Sequence, residues 1–186
     1  MRRLAFIMTM CLMAIVSCKD KKPDNSNIIT TDYEVPKPTA PISMGAVTDV
    51  QDVDWVDGRR YTVRIVRQAV DSLPMVSNAN GQKYIDNAIL LEVARADSSI
   101  FYNHRFTKAS FANWLTQEYR DKAILQGMSF LQADASALSL IVWLNYPDAG
   151  DDEAVELMFS LDRHRNTSIQ RFSYDDRDDL IKMDKK

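Results

Sequence analysis

The chain is short of the residues that staple small secreted domains and of those that build familiar active sites. Its 186 residues include two cysteines, Cys11 and Cys18, and none follows Cys18. The stretch beyond that point has no disulfide and no cysteine-ligated metal to stand on, so packing must hold it. His104 and His164 are the two histidines, some 60 positions apart, with no carboxylate at ligand spacing, which makes a poor metal site. They read instead as a half-buried strand histidine and an exposed turn histidine. No Gly-x-Ser-x-Gly stretch occurs, so a nucleophilic serine has no recognisable setting. Basic charge is scarce as well. Setting aside Arg2 and Arg3 of the leader discussed next, 21 basic side chains face 26 acidic ones, a net of −5, which argues against nucleic acid as a partner. Long apolar runs are missing too. Leu4 to Val16 spans 13 residues, apolar apart from Thr9, and as a helix reaches only ~20 Å against the ~30 Å of a bilayer core.

That apolar run follows Arg2 and Arg3 and ends in Ile15-Val16-Ser17-Cys18. A basic start and a short apolar stretch predict a signal peptide over 1–17 rather than a spanning helix. The four closing residues resemble the lipobox of bacterial lipoproteins. The resemblance implies cleavage before Cys18, a diacylglyceryl thioether on its sulfur and acylation, palmitate-like, of the new amine. Two or more acyl chains at ~0.8 kcal/mol per buried methylene anchor stably where one does not. Cys11 is discarded with the leader. The expected location is the cell envelope, at the outer membrane.

Residues 18–50 predict a lipidated N-terminus and flexible linker. Lys19 to Asn27 is polar with nothing to bury, and Pro36, Pro38 and Pro41 favour extended backbone. About 30 such residues reach roughly 30 Å. The start resembles in part the surface-export signals of Bacteroidota lipoproteins: Lys19 and Asp20 fit, Lys21 and Lys22 depart. Periplasmic and surface-exposed placements both stay open.

A single β-rich domain is expected over 51–175, with a charged tail over 176–186. Asp57-Gly58 between Val53–Val56 and Arg59–Val66 is a hairpin signal, because a type I′ turn needs positive φ at both central positions. Tyr61, Val63 and Ile65 share one face. Further strands are expected at 88–96, 100–106, 128–133, 138–146, 155–161 and 167–174, the 138–146 run being the most apolar and hence central. One helix is expected near 110–125, where Phe111, Leu115 and Tyr119 stand four apart, Thr107 or Ser110 can cap the start and Gly127 can close the end. About eight strands joined by short turns predict an antiparallel meander, mainly β with an inserted helix, curling into a barrel or a sandwich.

Candidate chemistry is sparse. The loop Asp148-Ala149-Gly150-Asp151-Asp152-Glu153 offers oxygens to a hard cation but lacks EF-hand spacing, as does 175–179, so a solvated hairpin tip is the simpler reading. Asp86 and Asn87, just before a strand, are expected to fix a turn through side-chain to backbone bonds. Trp55, Trp114, Trp143, Tyr102, Tyr119, Phe130 and Phe159 could line a pocket, but their strand and helix periodicity reads as core. No cofactor or metal site is expected, and no catalytic residue is assigned. Carboxylate pairs formed across strands are invisible at this level.

Four stretches, Leu73-Pro74-Met75-Val76, Asn80 to Asn87, Phe106 to Phe111 and Ile124-Leu125-Gln126-Gly127, together resemble an uncharacterised lipoprotein family of Bacteroidota, domain of unknown function 4738. The resemblance covers roughly 55–174 and implies an anchored lipoprotein without assigned activity or site residues.

The expected function is therefore an envelope lipoprotein, held to the membrane by Cys18, whose domain binds a protein, glycan or small-molecule ligand. The alternative is an enzyme acting on envelope or glycan material through carboxylates gathered from several strands. A third reading is a structural or inhibitor-like module.

Overall fold

The computed structural model describes residues 40–172. The expected leader, the lipidation site Cys18, most of the linker and the C-terminal tail lie outside the described residues. In chain order the strands are β1 (Ile42–Ser43), β2 (Val47–Trp55), β3 (Arg59–Ala69), β4 (Val76–Ser77), β5 (Lys83–Ile85), β6 (Asn87–Arg95), β7 (Ile100–Phe106), β8 (Ile124–Ala133), β9 (Ala137–Asn145), β10 (Val155–Asp162) and β11 (Thr167–Arg171). A 3₁₀ segment, Lys108–Trp114, and a short helix α1, Gln117–Lys122, sit between β7 and β8.

Two four-stranded antiparallel sheets form the body, one ordered β2-β3-β6-β7 and the other β11-β10-β9-β8. Their inner faces pack as a sandwich; of the two closures the meander allowed, the barrel is not the one adopted. Eight long strands form, and those at 59–66, 88–96 and 155–161 fall where alternation placed them, while β2 and β8 begin earlier than expected, at Val47 and Ile124. Val63, Leu91, Leu140 and Phe159 are fully buried, and β9, interior to its sheet, is buried on nearly every position. Asp57 and Gly58 both take positive φ (59° and 67°), and the Arg59 N–H closes the turn on the Val56 carbonyl.

β7 carries a bulge opposite Val93/Ala94. The extra residue shifts side-chain parity, so Phe101 and Phe106, an odd number of positions apart, both reach the core. Phe101 then meets Trp55 and Tyr61 in an edge-on triangle with centroids 5.3–5.5 Å apart. At the other end Phe106 stands edge-on to Phe159 at 5.1 Å. Trp114, Tyr102, Tyr119 and Phe130 pack partly buried against the same core that holds Trp55 and Phe159, as their period suggested, while Trp143 is half-buried outside it.

Three local expectations are corrected. Residues 42–50, linker by composition, contain β1 and the start of β2; Val47 pairs with Arg67, and Val47 and Val50 stay about half exposed on an edge strand. The expected helix near 110–125 breaks at Leu115, whose extended backbone (φ −103°, ψ 141°) lets Thr116 cap a new start at Gln117. Phe111 and Leu115 are buried, but from separate short elements. Gly127 does not end a helix. It lies in β8 opposite Trp143, and a Cβ there would stand 2.4 Å from the indole Cζ2. Glycine is needed for that close approach rather than for a turn.

β8 is the edge of its sheet, so its outward peptide groups have no strand partner. Side chains from β3, from the start of β6 and the residue before it, and from the 3₁₀ segment bond the first residues of this edge and Ala123 just before it. Asp86 Oδ1 accepts the Leu125 N–H (2.8 Å), Asn87 Nδ2 donates to the Leu125 carbonyl (2.9 Å), Arg67 donates to Gln126 O (2.6 Å) and Lys108 to Ala123 O (2.6 Å). This polar seam ties the two sheets at one pole.

Candidate functional site

The small third sheet, β1-β5-β4, stands at that pole, with β1 parallel and β4 antiparallel to β5. The β4–β5 turn, Asn78 to Gln82, is organised by Asn78. Its Oδ1 accepts the N–H groups of Asn80 (3.0 Å) and Gln82 (2.9 Å), while Gly81 supplies a φ of 79°. With its backbone work done by Oδ1, Asn78 has its amide nitrogen free to reach Asp148 Oδ2 in the β9–β10 loop (2.5 Å). The Asp148 carboxylate also acts on the hydroxyl of Tyr84 in β5, and that interaction, then desolvation and the negative charge, raise the phenol above its ordinary value.

The far wall is α1 and the end of β9. Tyr119 stacks tilted on Tyr146 with centroids 4.7 Å apart, and its hydroxyl donates to the Glu153 carbonyl (2.5 Å). Burial first, and then Tyr146 and Glu153, hold the Tyr119 phenol high. Glu118 and Lys122, one helical turn apart, pair at 3.0 Å, which raises the Lys122 ammonium through that hydrogen bond and the glutamate's charge.

Between these walls lies an open cleft of about 440 Å³, lined by Ser77, Asn78, Ala79, Glu118, Lys122, Tyr146, Pro147, Asp148, Ala149 and Glu153. It offers an aromatic surface, three carboxylates, an ammonium and an amide. These groups suit a ligand rich in hydroxyls: the polar side chains can exchange hydrogen bonds while a ring packs under a C–H face.

Several sequence candidates land elsewhere. Asp86 is buried (3% exposed) and does bond the Asn87 N–H, as a turn-fixing residue would. It also bonds Leu125, 39 residues on, and meets Lys108 at 3.6 Å. His104 is exposed on β7 and edge-on to Phe106 (4.5 Å), not half-buried. His164 is exposed in the β10–β11 turn. Among the described residues no three His, Cys, Asp or Glu side chains gather as a metal would need. Asp148 and Glu153 of the acidic loop do reach the cleft, joined by Tyr119 beside it. Asn78, Tyr84, Lys122 and Tyr146 carried no signal of their own, and only the Asn-rich turn and the aromatic beside the acidic loop hinted at them.

No curated protein matches the chain. A family model matches residues 27–169, a stretch that takes in the linker's second half and nearly all the sandwich. The four stretches quoted for the family resemblance, far apart in sequence, converge at the pole just described. By that match the chain belongs to the family described as Domain of unknown function (DUF4738).

Proposed function

We propose that this is a lipid-anchored envelope protein whose sandwich binds a glycan or similar hydroxyl-rich ligand in the cleft beside Tyr146. The anchor half rests on the leader and on Ile15-Val16-Ser17-Cys18. The binding half rests on one observation: Asn78 and Asp148 are bonded to each other across two loops beside the half-buried Tyr119–Tyr146 pair. Groups held in place before a ligand arrives lose little entropy on binding, which favours affinity.

Labelled palmitate fed to cells tests the anchor: the wild-type chain takes label and Cys18→Ser does not. Protease added to intact cells then decides between the periplasmic and surface faces. Binding is tested on a glycan array followed by titration, where Tyr146→Ala and Asp148→Ala each weaken the best ligand about tenfold, or 1.4 kcal/mol. Equal binding by both variants overturns the cleft assignment.

The enzymatic alternative draws on the three carboxylates of Glu118, Asp148 and Glu153 around one cleft. If it holds, Glu118→Gln or Asp148→Asn keeps binding but abolishes release of product from the bound glycan.

A further inference from the structure

On the other side of α1 a second, smaller cavity of about 230 Å³ opens over the polar seam. Leu73, Pro74, Ala109 and Ala112 give it apolar walls, and Asp86, Lys108 and Arg120 stand at its polar end. Asp86 Oδ1 takes the Asn87 and Leu125 N–H groups, both at 2.8 Å, and Oδ2 faces Lys108. The two cations have donors to spare. Lys108, its side chain 16% exposed, gives one hydrogen bond to Ala123 O and stays 3.6 Å from Asp86 Oδ2, beyond good hydrogen-bond length. An ammonium has three N–H donors, so donor capacity is left over. Arg120 spends Nε on the Ala112 carbonyl (2.9 Å), and its terminal nitrogens have no partner among the described residues. Two cations against one occupied carboxylate leave an excess positive charge at the mouth of an apolar pocket.

We propose that this cavity binds a small organic carboxylate carrying a short apolar group. The carboxylate would take the spare Lys108 donor and the Arg120 fork, and the apolar part would lie against Leu73, Pro74, Ala109 and Ala112. The volume of about 230 Å³ admits roughly eight to eleven heavy atoms, at about 20–30 Å³ each in a packed interior. The net charge selects an anion over a neutral isostere, because the amide analogue gives the cations nothing to neutralise. A phosphate dianion finds the charge but wastes the apolar wall. This site is separate from the glycan cleft and stands or falls without it.

The test is titration of the full-length protein in detergent with hexanoate, hexanamide and inorganic phosphate, followed by calorimetry and by melting temperature. Hexanoate is expected to bind saturably with a dissociation constant of about 0.1–1 mM, as its few heavy atoms allow, and at least tenfold more tightly than the other two. Arg120→Gln, at an exposed position, should weaken hexanoate at least fivefold. Ala109→Leu should fill the cavity and abolish binding while the unliganded melting temperature holds. Lack of saturable binding, equal affinity for hexanamide, equal or tighter phosphate binding, or indifference of hexanoate binding to both substitutions would each overturn the proposal.

Discussion

Asp86 and Gly127 show what a single side chain, or its absence, does here. The Asp86 carboxylate is buried and satisfies two peptide N–H groups on different sheets while facing Lys108. Replacing it strands two donors and a partly buried ammonium together, and breaking such a pair costs ~3–5 kcal/mol. We expect Asp86→Ala to lose that much in urea unfolding. Glu118→Ala, which removes the partner of an ion pair 60% exposed on both sides, should cost at most ~0.5 kcal/mol. Gly127→Ala forces the Trp143 ring aside, an overpacking worth ~1–3 kcal/mol. In a double-mutant cycle Trp143→Leu should relieve most of that cost, and strict additivity would show that the ring is not the obstacle.

At the scale of elements, three hairpins of the sandwich are held by one device: an aspartate accepting the N–H groups of its own turn. Asp97 accepts from Ser99, Asp134 from Ser136 and Ala137, and Asp162 from His164 and Asn166. Bonds from Ser99 lower the Asp97 carboxyl, and bonds from Asn166 lower that of Asp162. For Asp134 burial pushes upward, but the bonds from Ser136 and Ala137 outweigh it and the net shift is also down. A carboxyl lowered on folding stabilises the native state fully above its unfolded pKa, ~3.9, and that share is lost as pH falls through the lower folded value. Melting temperature should therefore be flat from pH 7 to about 5 and drop below about 4. Asp162→Asn, which keeps an acceptor oxygen but not the charge, should flatten part of that drop, and an unchanged acid slope would count against the turn's role.

For the whole molecule the register sets two unlike poles. The hairpin tips at 56–58, 96–99, 134–136 and 163–166 share one pole, where Arg95 and Arg165 lie over the Phe101 ring at 4.9 and 5.3 Å. The start of β2, the end of β11, α1, the cleft and the polar seam share the other. β1, near the first of the described residues, thus lies at the pole that carries both candidate sites. Stability should be layered across the strands as well. Hydrogen exchange is expected to be slowest in β3, β6, β9 and β10, each paired on both sides, and fastest in β2, β11 and the three short strands. Uniform protection across all eleven strands would mean that the sheets open only together.

Period-two alternation along 59–66, 88–96 and 155–161 by itself determined where the long strands run and which faces are buried, because strand geometry repeats every two residues and a buried face tolerates little else. The Asp57-Gly58 turn was legible for the same local reason. Strands of two or three residues have no period to read, so β1, β4 and β5 emerged only from pairing. Nor could spacing separate one helix from a 3₁₀ segment followed by α1, since both put Phe111 and Leu115 inward. The cleft draws on 77–79, 118–122 and 146–153, and Asp86 on Leu125. Those meetings arise from loop closure between distant segments, and only the tertiary structure decides which groups they bring within bonding distance.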